Sequence, residues 1–214
     1  MAIYLGSTAL NTFRVGTQTP DRIFLGNDLV WPAFTEIEQI FTPTGAFTFN
    51  IPLNCRYIDI VLVGAGGGGQ ASAAVFNMGD PGDPGQWNGI TLKRGVDIPW
   101  DILQITGSVG AGGFGGPGPS ISPGGPGGTT TASIAGVGSI SAPGGAAGAL
   151  WTTDTRGQGP GNFTWNGKLY VGGGITGTGR NGPTGNAPGG GGAGSTGFGG
   201  GGSGAPGRAW IRCY

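Results

Sequence analysis

The one spacing in this chain that fits a cofactor fingerprint is Gly64-Ala65-Gly66-Gly67-Gly68-Gly69, directly after the apolar run Ile58-Asp59-Ile60-Val61-Leu62-Val63. A G-x-G-x-x-G turn after a strand holds a pyrophosphate when a helix N-terminus follows it. Here the next segment, 70–78, is too short for a crossover helix, and Asp80 and Asp83 read as part of a Gly-Pro turn. No further βαβ pattern follows. With 53 glycines in 214 residues such a match arises by chance, so no cofactor is expected.

Other chemistry is limited by what is missing. The chain has no histidine, which removes His-activated nucleophiles and His metal ligands. Carboxylate pairs for glycoside hydrolysis could be drawn from Asp97 with Asp101 or Asp80 with Asp83. Each lies beside Pro or Gly, a setting in which Asp bonds the local backbone. The Asp80/Asp83 spacing does not match a calcium loop. Cys55 and Cys213 form no metal-type cluster; they could face each other on neighbouring strands, but buried reduced thiols are the expectation for a chain made in the cytoplasm. No enzyme activity and no metal site is expected.

Six aromatics in Gly/Pro/Asn-rich stretches remain as binding candidates: Trp87, Phe114, Trp151, Phe163, Trp165 and Phe198. Aromatics in polar loops stack on sugars or anchor interfaces. They serve equally as internal pins in a body poor in side chains, and the pin reading is the stronger one. Trp87, Phe114, Trp151, Trp165 and Phe198 are carried forward as candidate receptor contacts.

The elements that must hold these residues are β-type. Lys and Arg together number 10, as do Asp and Glu, so the neutral chain offers no footprint for nucleic acid. The N-terminus lacks a basic n-region and a long apolar core, and no segment reaches spanning length, so neither a secretory signal nor membrane insertion is expected. Residues 1–35 carry an imperfect repeat: Tyr4-Leu5-Gly6, Phe13-Arg14-Val15-Gly16 and Phe24-Leu25-Gly26, each followed by polar turn formers. This predicts a small strand meander, read either as a docking module or as a sheet packed on the rest of the chain. Residues 36–214 form the second unit. Within it Phe47, Phe49 and Ile51 alternate with polar residues, Tyr57–Val63 is apolar on both faces apart from Asp59, and 90–93 and 102–109 supply further strands. Short β-prone islands follow at 129–134, 137–141 and 168–171. In the closing run Ala209, Ile211 and Cys213 share one face, and Trp210, Arg212 and Tyr214 the other. A regular strand so late implies that the chain returns to the middle sheet. The fold class is all-β: a small N-terminal meander, an antiparallel sandwich-like core, and glycine-rich excursions.

The excursions have a period. Only Gly6, Gly16, Gly26 and Gly45 lie in the first 60 residues, whereas 39 glycines lie from Gly107 onward. Gly79, Gly82 and Gly85 recur every third residue, as do Gly107, Gly110, Gly113 and Gly116, and again Gly191, Gly194, Gly197 and Gly200. Three residues per turn is the repeat of polyproline II, which puts glycine along one edge where another backbone can approach. Short extended helices packed side by side, bonded through their amides, fit better than a collagen triple helix; the competing reading is flexible linker.

Four segments together resemble the glycine-rich domain of bacteriophage tail proteins, minor tail proteins of phages that infect actinobacteria in particular. They are Phe41-Thr-Pro-Thr-Gly-Ala-Phe-Thr-Phe-Asn-Ile-Pro, the strand into Gly64–Gly69, Thr106-Gly107-Ser108-Val109-Gly110-Ala111-Gly112-Gly113 and Gly207-Arg208-Ala209-Trp210-Ile211-Arg212. The glycine field also resembles the polyglycine II packing of some tail-fibre adhesins. The resemblance implies a virion component at a tail tip or fibre, a homotrimer, and tract-end loops that meet a glycan or protein of the bacterial envelope. It also implies that residues 1–35 bind other phage structural proteins. The alternative is a purely structural head or tail decoration without receptor contact.

Overall fold

The computed structural model describes residues 3–5, 7–10, 12–73 and 78–214. Gly6 of the first N-terminal repeat and residues 74–77 of the segment after the glycine run lie outside the described residues. In chain order the strands are β1 Ile3–Leu5, β2 Thr8–Leu10, β3 Ile23–Leu25, β4 Asp28–Trp31, β5 Ile37–Phe41, β6 Gly45–Asn50, β7 Tyr57–Val63 and β8 Met78–Gly79. There follow β9 Trp87–Lys93, β10 Gln104–Val109, β11 Thr130–Ile134, β12 Gly138–Ala142, β13 Trp151–Thr152, β14 Phe163–Trp165, β15 Lys168–Tyr170 and β16 Arg208–Cys213. No helix occurs among the described residues, and the fold is all-β.

Two antiparallel sheets carry the core. One runs β12-β11-β10-β6 and the other β5-β16-β7-β9. Period-2 patterning turns Phe49, Ile58, Ile60, Leu62, Ile105, Val109 and Ile211 into the space between them, where each is buried. β7 is central, with β16 on one side and β9 on the other, as its two apolar faces require. The closing strand does return to the middle sheet: β16 lies between β5 and β7, with Ala209, Ile211 and Cys213 facing the core. Cys55 and Cys213 are buried free thiols.

The outer face of the second sheet is covered as well. Val61, Val63, Trp210 and Tyr170 form a second buried cluster with Trp87, Phe163 and Trp165 packed against it. The cover is the β14–β15 hairpin. Its turn residues Asn166 (φ 47°) and Gly167 (φ 75°) both adopt positive φ, the condition for a two-residue turn that matches strand twist. Trp165 lies flat across β9 at Gly89, where a Cβ would sit 2.8 Å from the indole.

The strands do not stop where the sheets end. Residues 64–72 continue β7 as a fully buried extended tract, and their amides bond outward with a three-residue period. Gly64, Gly67 and Gln70 donate to the carbonyls of Gln86, Asp83 and Asp80; Ala65, Gly68 and Ala71 donate to Gly128, Gly125 and Ser122; Gly66, Gly69 and Ser72 donate to Ala205, Gly202 and Gly199, all at 2.8–3.2 Å. In each set one number rises as the other falls, so these three neighbours are antiparallel. Carbonyls of 65–70 accept in turn from Gly113 and Gly116, from Gly145 and Gly148, and from Gly192 and Ser195 at 2.8–3.0 Å, in parallel registers. The central tract therefore has six neighbours: 79–86, 143–149, 122–128, 110–116, 199–207 and 189–196. Bonds between successive members of that ring close it, for example Asp83 to Ala146, Gly127 to Gly145, Gly125 to Phe114, Gly204 to Gly113, Ala205 to Gly190 and Gly82 to Gly192. This is a hexagonal array of three-fold helices.

Tract 189–196 is a second buried axis. Besides the central tract it bonds 79–86, 155–159, 182–188 and 199–207. Glycine is required here by distance. A Cβ on Gly66 would lie 2.0 Å from the Gly190 carbonyl oxygen, and one on Gly69 2.1 Å from that of Ala193. Every ordered glycine backbone costs about 1–2 kcal/mol of entropy, and hydrogen bonds from its amide and to its carbonyl, made to neighbouring tracts in place of water, offset it.

Two expectations need correction. Residues 79–86 are no Gly-Pro turn: Asp80 and Asp83 lie on an extended tract bonded to 64–70, because Pro81 and Pro84 hold φ in the polyproline range and the glycines allow close packing. Trp87, Trp151, Phe163 and Trp165 do not sit in loops; Trp151 lies on the two-residue strand β13, paired with β8. Trp87 lies on β9, and Phe163 and Trp165 on β14, strands that short apolar-polar alternation among glycines conceals.

Candidate functional site

The two ends of the molecule are built differently, and β9 shows which is which. Trp87, at its start, follows directly on the lattice; Lys93, at its finish, is paired with Asp28 of the N-terminal hairpin at 2.6 Å. That hairpin, β3–β4, also receives a bond from Arg56 Nη2 to the Pro32 carbonyl at 3.1 Å, and Phe24 meets Trp100 edge-on with ring centres 5.1 Å apart. Gly16 and Gly26 take positive φ (64° and 61°), as the glycine-led turns of the repeat predict. The N-terminal hairpin therefore packs against the sandwich at the end away from the lattice.

At the far end of the lattice the tracts turn back on themselves. Ala71 bridges Ser122, Ser72 bridges the Phe198–Gly199 pair, and Trp151 pairs with Gly79. Exposed apolar side chains stand at and beyond these points: Leu150 (73%) and Ile121 (55%) on the connections, Trp151 (47%) on β13, Met78 (37%) on β8 and Phe198 (47%) at the Ser72 bridge. Polar side chains at the same end are engaged locally. Arg156 Nη2 is 2.8 Å from Asp154 Oδ2, Arg180 Nε donates to the Phe198 carbonyl at 3.0 Å, and Asn181 Oδ1 accepts from Gly200 N at 3.2 Å. The guanidinium of Arg156 holds the Asp154 carboxyl down at about 2.

The five aromatic candidates divide between these regions. Trp151, on β13, and Phe198, at the Ser72 bridge, stand at the far end of the lattice. Phe114 is exposed on the flank of tract 110–116, its ring over Gly125. Trp87 and Trp165 are half-buried in the stack over the second sheet. Trp87 lies parallel to Phe163 and Trp210 at 5.4 Å from each, and Phe163 to Trp165 at 5.9 Å. Their indole N–H groups are used internally, Trp87 on the Pro160 carbonyl at 3.1 Å and Trp165 on Thr91 Oγ1 at 3.1 Å. Leu150, Ile121 and Met78 are not aromatic and so fall outside the sequence criterion for binding candidates. Their signal is an apolar residue in each break between period-three tracts.

A buried polar centre lies under the hairpin. The Asp59 side chain is inaccessible and accepts from Thr91 Oγ1 at 2.6 Å, Tyr214 OH at 3.3 Å and Asn166 Nδ2 at 3.3 Å, with Arg212 Nη1 3.9 Å away. It fastens β14–β15 to the sheet. Asp97 Oδ2 accepts from the Lys93 backbone amide at 2.8 Å, a local turn bond. Among the described residues no group of three or more His, Cys, Asp or Glu could hold a metal ion.

Two sheets that run on into a hexagonal glycine lattice define the class, and residues 42–214 match the glycine-rich domain family, to which this chain belongs. It is similar to phage proteins in particular. The Gene 32 protein of Mycobacterium phage D29 is 44% identical over 157 residues, covering 71% of this chain and 70% of that protein. The Gene 32 protein of Mycobacterium phage L5 is 45% identical over 155 residues, with the same shares. The chain is thus a glycine-rich protein of phage type.

Proposed function

We propose that this protein is a structural, non-enzymatic virion component of a phage tail tip or fibre, and that the far-end loops of its lattice contact the host cell surface. The observation that carries this reading is the polarity of the molecule. A packed N-terminal hairpin lies at one end, and exposed apolar loop residues are held out on a hydrogen-bonded glycine array at the other. Residues 1–35 are suited to join other phage structural proteins, and three copies side by side would present three tips. A period-three lattice is an economical stalk, since its rigidity comes from backbone bonds and leaves the connecting loops free to vary.

Binding of purified protein to host cells tests this. Trp151→Ala combined with Phe198→Ala is expected to lower cell binding at least tenfold while the melting temperature stays within a few degrees. Native protein that ignores host cells would remove the adhesin role.

A further inference from the structure

We propose that the cleft between the N-terminal hairpin β3–β4 and the sandwich binds a carboxylate carried on an aliphatic stem, as an acidic peptide presents it. Two arginines meet there on one face. β7 and β9 pair Tyr57 with Lys93, and the next pair outward is Arg56 with Arg94, joined by the Arg94 amide on the Arg56 carbonyl at 2.8 Å. Directly opposed residues share a face, here the one that carries Ile58 and Leu92 into the core, and like charges so placed repel. Arg94 is only 1% exposed. Its Nη2 donates to the Trp100 carbonyl at 2.8 Å and its guanidinium lies 5.0 Å from the Trp100 ring centre, while Nε and Nη1 are buried with no hydrogen-bond partner. Arg56 Nη2 donates to the Pro32 carbonyl at 3.1 Å, and Arg56 Nε is likewise buried and unpartnered.

Charge names the ligand. Among the described residues no carboxylate forms an ion pair with Arg94 or Arg56. Asp28 is held by Lys93 at 2.6 Å, Asp97 accepts from the Lys93 amide at 2.8 Å, and Asp101 acts on Arg94 only through its charge. A buried guanidinium without a countercharge weighs against the fold, and an anion bound beside it removes that cost. A carboxylate has one oxygen for each arginine. The cleft has a volume of about 250 Å³, and Arg56 and Arg94 line it together with Leu25, Leu29, Val30 and Trp100. Apolar walls suit a hydrocarbon stem better than a bare inorganic ion, and Asp28, which also lines the cleft, disfavours a dianion such as phosphate. The cleft lies at the end proposed to join other phage structural proteins; a peptide as the source rests on that reading, and the carboxylate chemistry does not.

The test is a titration of isotope-labelled full-length protein, followed at the arginine Nε–H resonances and by thermal melting. The probes are butyrate, its uncharged analogue butyramide, inorganic phosphate at matched ionic strength, and a short end-blocked peptide with one central glutamate. Butyrate is expected to shift the Arg56 and Arg94 resonances and raise the melting temperature, with butyramide inert. Arg56→Gln, at a half-buried position, is expected to weaken butyrate binding about tenfold. Arg94→Met should abolish it. The peptide is expected to bind more tightly than butyrate; butyrate binding with the peptide shut out would overturn the peptide source and leave a small free carboxylate as the ligand. An equal response to phosphate would overturn the carboxylate assignment. So would a butyrate response indifferent to Arg56→Gln, or resonances that stay in place at about 100 mM butyrate.

Discussion

At Asp59 the chain buries a carboxylate in the middle of its most apolar strand, and the donors around it decide whether that is tolerable. Thr91, Asn166, Tyr214 and Arg212 come from three other elements to meet it. Replacing it by alanine strands those donors under the hairpin; Asp59→Ala is expected to cost about 3 kcal/mol in denaturant unfolding. Alkali acts on the same face. Burial pushes the Tyr170 phenol from 10.0 up to about 12, and the Tyr214 phenol is also raised, first by burial and then by Asp59. The Cys213 thiol is raised as well, by its contact with Cys55 and by burial. Each group is neutral in the fold and ionises more easily in the unfolded chain. Their contribution is therefore present at neutral pH and is lost as pH rises toward 12. A fall in melting temperature above pH 10, with phenolate absorbance appearing together with unfolding, is the expected outcome. Asp59 stands out in the sequence as the polar break in Tyr57–Val63, but its partners lie 32, 107 and 155 residues away, so no local pattern could name them.

The elements divide into those legible from local pattern and those fixed by distant contacts. Period-2 alternation and the paired faces of Arg208–Cys213 were enough to locate the sandwich, because each strand carries its own inward face. The period-three glycines likewise announced extended tracts. What they could not announce was that Gly64–Gly69, which fits a cofactor fingerprint by chance, is the axis of the array, since consecutive glycines show no period. Nor could they mark Asp80–Pro81–Gly82–Asp83 as a tract, since Gly-Pro pairs serve turns and polyproline helices alike. The lattice makes a sharp positional prediction. Gly66→Ala and Gly69→Ala place a methyl about 2 Å from a neighbouring carbonyl oxygen, and each should cost about 3 kcal/mol or more. Gly174 and Gly177 lie on the lattice edge, where an added methyl would meet nothing within 4 Å, and Gly174→Ala or Gly177→Ala should be neutral or slightly stabilising. Thermal melts of the four variants check this.

For the molecule as a whole, strand direction links both halves. β7, β10 and β12 run toward the lattice and continue as 64–72, 110–116 and 143–149; tracts 79–86, 122–128 and 199–207 return into β9, β11 and β16. A core that is small in side chains is thereby extended by backbone bonding, and the loops where tracts reverse become the natural place for contact with a target. The glycine field can act as a stalk only if it is folded, so amide hydrogen exchange resolved along the chain is the most direct test. The amides of 64–72 and 189–195 are expected to exchange as slowly as those of β7, by way of global unfolding. Exchange of those glycine amides at the rate of an unstructured peptide, with β7 still protected, would contradict the lattice and remove the support for the proposed host contact.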